Sequence, residues 1–217
     1  MFYGNPTIVP VMICLAIAIL YVVAEWRKWQ TVRWVAKLTA STAFVVLAVA
    51  NGATDSAYGR LILTALIFSW AGDALLLSLR SVFLLAGIAV FFFAHVAFGA
   101  ALASQRLDTG WLVISLVVLC AGALAILRWL WKYLATPHKI AVPAYLAAIT
   151  VMTSLAIAAS AASTSPLLAT AAVTFTASDI SVARNRFVGR SIANKIWGVP
   201  LYYVAQLLFA MSVLSNG

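Results

Sequence analysis

Long apolar runs follow one another along almost the whole chain, broken only by short clusters of charge, Gly and Pro. No other feature restricts the fold as much, because a soluble domain must surround its apolar segments with polar surface. Here 65% of the 217 residues are hydrophobic and only 9% are charged, against roughly half and a quarter in ordinary soluble domains. A bilayer takes up such surface, and each spanning helix uses about 20 largely apolar residues. The length accommodates eight or nine spans and leaves no room for a soluble catalytic domain. Any chemistry must then be done by side chains within the helices or at their ends. The expectation is a single all-α transmembrane bundle over residues 1–217.

Apolar runs and their interruptions predict eight spans, at 7–25, 34–51, 58–79, 81–103, 110–131, 140–160, 166–183 and 196–214. The turn formers Asn51-Gly52 and Ser165-Pro166 mark two of the connections. Little more than Arg80 separates the third and fourth spans, which predicts a tight antiparallel hairpin. Met1 to Pro6 holds no Lys or Arg and no A-x-A site closes the first run, so that run reads as a retained span, not a cleaved signal peptide.

The basic residues test this layout. With alternating spans, one side collects Arg27, Lys28, Arg33, Lys37, Arg80, Arg128, Lys132, Lys139, Arg184, Arg186, Arg190 and Lys195, leaving only Arg60 and Arg106 of the 14 on the other. That asymmetry predicts a cytoplasmic basic side and both termini on the non-cytoplasmic side. Trp26, Trp29, Trp34, Trp111, Trp129, Trp131 and Trp197 gather at span ends, as an interfacial belt should. The net charge of +9 therefore points to membrane lipid, not nucleic acid, as the partner. Cys14 and Cys120 lie in separate runs without metal-ligand or disulfide spacing, and no metal or other cofactor is expected. Small size and minimal loops suit a bacterial inner membrane.

Polar groups inside spans are expensive and ask for a reason. Of the five acidic residues, Glu25, Asp55 and Asp108 fall at span ends or in loops and read as solvated surface groups. Asp73 and Asp179 are embedded in apolar helices. Both helices run inward, which places Asp73 roughly 9 Å and Asp179 roughly 6 Å from the cytoplasmic ends. Lys37, Tyr145, Tyr202 and Gln206 fall in the same layer, Ser69 shares the helix face of Asp73, and His95 lies deeper. Arg184 and Arg186 stand just past Asp179 at the surface. Each group also has a structural reading: an Asp paired with Lys, His95, Tyr202 and Gln206 bonding between helices, the arginines setting topology, and Gly72 and Gly87 permitting close packing.

Two carboxyls in a low-dielectric site tend to share a proton, leaving one acid and one base. That equips a chain for acid–base chemistry on a lipid, or equally for proton coupling in a transporter. Ser69 and Ser178 have neither a GxSxG elbow nor an obvious Ser-His pairing, which disfavours nucleophilic catalysis. The Gly- or Pro-broken midspans expected of a transporter are also poorly met, because Pro143 and Pro200 lie near span starts. The residues by themselves leave the substrate open.

Taken together, the segments Phe68-Ser69-Trp70-Ala71-Gly72-Asp73, Phe83/Gly87/Phe91/His95, Ser178-Asp179 with Arg186-Phe187, and Tyr202-Tyr203 with Gln206 resemble the YhhN family of lysoplasmalogenase-type membrane proteins in order and spacing. Tyr145 and Met152 fit a weaker sixth-span pattern, and the likeness extends from Lys37 onward. Two positions depart from the family: Leu38 follows Lys37 where proline is favoured, and Phe98 stands where tyrosine is common. The resemblance implies hydrolysis of the vinyl ether of a lysophospholipid substrate, with Asp73 and Asp179 as the catalytic pair. It further implies that Lys37 and Arg184 hold the phosphate, that Tyr202, Gln206 and His95 orient diacid and water, and that Ser69, Tyr145, Ser178 and Tyr203 support them.

Overall fold

A computed structural model describes residues 8–78 and 80–216. The expected span boundaries at 7 and 79 and the reading of Met1 to Pro6 lie outside the described residues. The chain is all-helical: α1 (Ile8–Arg27), α2 (Gln30–Ala50), α3 (Ala57–Leu76), α4 (Ser81–Ala103), α5 (Thr109–Trp131), α6 (His138–Ser163), α7 (Leu167–Ala183) and α8 (Ile192–Asn216), with a π-helical turn at Arg184–Val188 between the last two. Seven of these helices are long and apolar enough to cross a membrane. The other, α7, has 17 residues, about 26 Å of rise, and the π-helical turn continues it.

Three helices begin earlier than hydropathy predicts. The first turns of α2 (Gln30-Thr31-Val32-Arg33) and α8 (Ile192-Ala193-Asn194-Lys195) carry polar and charged residues, and α6 starts at His138. A helix that leaves the hydrocarbon layer does not stop there; its polar first turn is still hydrogen-bonded. Arg33, Lys37 and Lys195 are in consequence held on rigid helices.

Neighbours in sequence pack as antiparallel pairs, α1 with α2, α3 with α4, α5 with α6 and α7 with α8, and α8 also touches α1, α2 and α3. Gly72 permits the close approach of α3 and α4, since a Cβ there would lie 2.5 Å from the Phe91 ring. Fully buried Phe44, Ile62, Leu66, Phe98, Phe175, Tyr203 and Phe209 fill the centre. The exposed faces carry Val113, Ile114, Val117, Val118 and similar side chains, and α5 buries only Ser115 and Leu130. Such an apolar exterior is that of a chain solvated by lipid.

Polar bonds fix the connections. Ser56 accepts from the Gly59 amide at 2.9 Å to start α3, and Asp108 accepts from the Trp111 amide at 2.9 Å to start α5. The Asn51 side chain donates to the Ala210 carbonyl at 2.9 Å, tying the end of α2 to α8. Gly52 adopts φ 80° in the turn that follows α2, a left-handed conformation glycine enters without strain.

Candidate active site

Asp73 sits on the buried face of α3, 2% exposed. A buried carboxylate needs compensating partners, and α2 and α8 supply them. The Lys37 ammonium lies 3.0 Å from Oδ1, while the Ser41 and Tyr202 hydroxyls donate to Oδ2 at 2.6 and 2.7 Å. Lys37 and Ser41 are four residues apart and so share one face of α2. Tyr203 braces that face by donating to the Lys37 carbonyl at 3.3 Å, with its hydroxyl 3.4 Å from Ser41 Oγ.

Asp179 on α7 has different company. Tyr145 of α6 donates to its Oδ2 at 2.6 Å, and His95 Nε2 of α4 lies 3.5 Å from the same oxygen. His95 Nδ1 is 2.6 Å from the Phe91 carbonyl. A carbonyl can only accept, so Nδ1 carries the hydrogen and a neutral ring turns its Nε2 lone pair toward Asp179. Two lone pairs facing each other repel; one proton held between Asp179 and His95 relieves the repulsion. The ring is clamped by Phe175 and Tyr145, at centroid separations of 4.7 and 4.9 Å.

Both carboxyls line one cavity of about 630 Å³, within the usual size range for a small-molecule site. Its walls are apolar, with Leu84, Ile88, Phe91, Ile126 and Leu146 among them. The cavity opens to the surface among exposed Lys28, Gln30 and Arg190, where Arg33, Arg186 and Lys195 also line it. One end is therefore suited to an anion and the body to a hydrocarbon chain. Among the described residues, no group of three or more His, Cys, Asp or Glu could hold a metal ion.

Several expected site residues meet here: Lys37, Asp73, Tyr145, Ser178, Asp179, Tyr202 and Tyr203 all line the cavity. His95 stands behind Asp179, fully buried. Ser69 and Gln206 are fully buried one helical turn from Asp73 and Tyr202, outside the lining, and their polar atoms make no hydrogen bond among the described residues. Lys37 lines the cavity as the counter-ion of Asp73. Arg184, expected at the phosphate, is instead exposed and does not line the cavity, whereas Arg186, about two helical turns past Asp179 and so on its face, does. Arg186 donates to the carbonyls of Leu76 and Ser78, satisfying the end of α3.

Glu25 is also corrected. It is no solvated surface group: its side chain is 12% exposed, with Arg33 at 3.4 Å, Lys195 at 2.6 Å and the Tyr21 hydroxyl at 3.1 Å. Asp55 and Asp108 are exposed, as expected. Phe98 stacks on Phe209 at 4.1 Å in the core and does not line the cavity. Ser41 escaped the sequence reading, although its position one turn after Lys37 on the same face was a usable signal.

A bundle of apolar helices enclosing two carboxyls, with basic groups at one end of their shared cavity, defines a membrane protein with an internal amphipathic site. Within that class the chain belongs to the YhhN family, which matches residues 32–213. No curated protein and no solved structure matches it. The match begins after α1, so Tyr21 and Glu25 are contributed by a segment outside it.

Proposed function

We propose that this chain hydrolyses the vinyl ether of lysoplasmalogens, releasing a fatty aldehyde and a glycerophospho head group. The observation that carries this reading is the unlike company of the two carboxyls in one cavity. Asp73 has a cation and two hydroxyl donors, the setting of an ionised group. Asp179 meets no Lys or Arg among the described residues, and the imidazole edge of His95 facing it is the setting in which a proton is shared and can be given up. A vinyl ether needs both.

Asp179 donates its proton to the β-carbon of the alkenyl chain, and the π electrons that form the new C–H bond leave an oxocarbenium ion. The fixed negative charge of Asp73 stabilises that cation in surroundings where water would do so poorly. Water adds to the cationic carbon and returns a proton to Asp179. The resulting hemiacetal collapses to aldehyde and alcohol, so the reaction consumes only water. General acid–base catalysis of this kind is worth about 10² to 10⁴ in rate. The alkenyl chain lies against Ile88, Phe91 and Ile126, and the phosphate meets Arg33, Arg186 and Lys195 at the basic end. The excess of Arg and Lys at that end supports a cytoplasmic orientation for it, in what this reading takes to be a bacterial inner membrane.

The test is aldehyde release by purified protein in detergent from lysoplasmalogens with ethanolamine and choline head groups. Release by the wild type, lost in folded Asp73→Asn and Asp179→Asn, supports the assignment. A folded wild type that releases no aldehyde from either lipid overturns it, and proton-coupled transport then becomes the reading of the buried carboxyls.

A further inference from the structure

Glu25 has no part in the reaction above, and its location is costly. It lies in the last turn of α1, where the helix dipole disfavours an anion, and it is the only acidic residue at a cavity end lined by Lys28, Arg33, Arg186, Arg190 and Lys195. Its carboxylate is also aimed and held. Oε1 accepts from Tyr21 and Arg33, while Oε2 lies 2.6 Å from the Lys195 ammonium. Lys195 is a primary ammonium on a flexible stem, and its side chain is 25% exposed against 12% for Glu25. The mobile partner is thus the cation, and the fixed one is the carboxylate.

We infer that Glu25 is the acceptor for a primary ammonium on the lipid head group, so that the site selects a phosphoethanolamine head group. This rests on the lysolipid reading and adds a specificity residue to it. In the empty site the Lys195 ammonium occupies the place the substrate amine will take. When the lipid enters, its phosphate draws Lys195 away from Glu25, and the substrate ammonium, two carbons from the phosphate ester oxygen, replaces it. The Lys195–Glu25 pair is thereby exchanged for two, Lys195 with the phosphate and the substrate ammonium with Glu25. A trimethylammonium cannot complete the exchange, because it has no N–H to donate to Oε2. A bare phosphate attracts the cations but leaves Glu25 without its closest partner.

The experiment uses purified full-length protein and non-hydrolysable 1-O-alkyl lysolipids bearing ethanolamine, choline or phosphate alone, with affinity measured by calorimetry in detergent. The wild type is expected to bind the ethanolamine lipid tightest. Glu25→Gln should cost the ethanolamine lipid roughly tenfold relative to the choline lipid and should strengthen both the choline lipid and the bare phosphate, because Lys195 is released to their phosphates. Lys195→Gln should weaken all three and preserve their order. If Glu25→Gln does not fold, Glu25→Asp serves in its place, with the ethanolamine preference reduced but kept. A wild type that binds all three equally, or a Glu25 variant that loses all three in parallel, overturns the inference and makes the cluster a strap between α1, α2 and α8. Vinyl-ether lipids assayed alongside separate the two readings. Head-group selection without aldehyde release sinks hydrolysis alone, and aldehyde release without head-group selection sinks this inference alone.

Discussion

Asp73 and Asp179 are the same residue at similar depth in one cavity, yet the bundle treats them oppositely. α2 and α8 close around Asp73 with a lysine and two hydroxyls, whereas α4 and α6 meet Asp179 with a histidine edge and one phenol. The residue type provides the carboxyl, and the neighbouring helices decide what it does. On the proposed reading, two similar acids thereby serve as a fixed anion and a proton carrier without any difference in their own chemistry.

The largest effects should come from removing either carboxyl. Asp73→Asn and Asp179→Asn are each expected to lower aldehyde release by about 10² to 10⁴, and stability should then tell them apart. Asp73→Asn leaves the Lys37 ammonium without its counter-ion, at a cost of about 3 kcal/mol, so its Tm in detergent should fall well below that of wild type. Asp179→Asn strands no cation and should melt close to wild type. Equal melting temperatures for the two variants would erase the distinction drawn between them.

Replacing both members of the pair sharpens the test. Lys37→Met alone should destabilise by an amount similar to Asp73→Asn, because it leaves a buried carboxylate unpaired. Lys37→Met combined with Asp73→Asn should recover most of that loss in Tm, since neither charge remains to be compensated. Activity should not return with it. Recovery of stability without recovery of rate would separate the pairing of Asp73 from its catalytic use.

Next in size are the two phenols. Among the described residues, Tyr202→Phe removes one of three partners of Asp73, and Tyr145→Phe removes the only hydroxyl donor to Asp179. Hydrogen bonds to charged groups are worth about 1.5 to 3 kcal/mol, so the more crowded Asp73 should tolerate its loss better. Tyr145→Phe is expected to lower kcat roughly tenfold and Tyr202→Phe by less, both with KM nearly unchanged. The reverse ranking would place the moving proton on the Asp73 side.

The same contrast explains what was legible in the sequence. The spans could be read because backbone in lipid must satisfy itself within helices, which leaves long apolar runs as their trace. Asp73 and Asp179 stood out because a carboxyl in an apolar run has no solvated alternative. Glu25 was misread for the converse reason: near a span end, a charge looks like ordinary surface. Only the packing of α1 against α2 and α8 brings Arg33 and Lys195 to it. Ser41 passed as a small filler residue, and its value depends on the rotation of α2, which hydropathy does not fix. Arg184 was misread although helical phase could have told it from Arg186: two turns past Asp179, Arg186 returns to the face of that carboxyl and Arg184 does not, and the π-helical turn that begins at Arg184 carries both.

That turn supports the smallest and most discriminating prediction, between two arginines two residues apart. Arg186 lines the cavity and donates to the Leu76 and Ser78 carbonyls, so it joins the turn after Asp179 to the end of the helix that carries Asp73. Arg184 is exposed and does not line that cavity. Arg186→Gln should raise KM for lysolipid several-fold, through loss of one charge-assisted contact to phosphate, with a small fall in Tm from the uncapped carbonyls. Arg184→Gln should leave KM, kcat and Tm within error of wild type, as exposed substitutions usually do. An Arg184 variant that raises KM as much as the Arg186 variant would mean that the turn rewinds when substrate binds, and the cavity end would then have a second arrangement with Arg184 facing in.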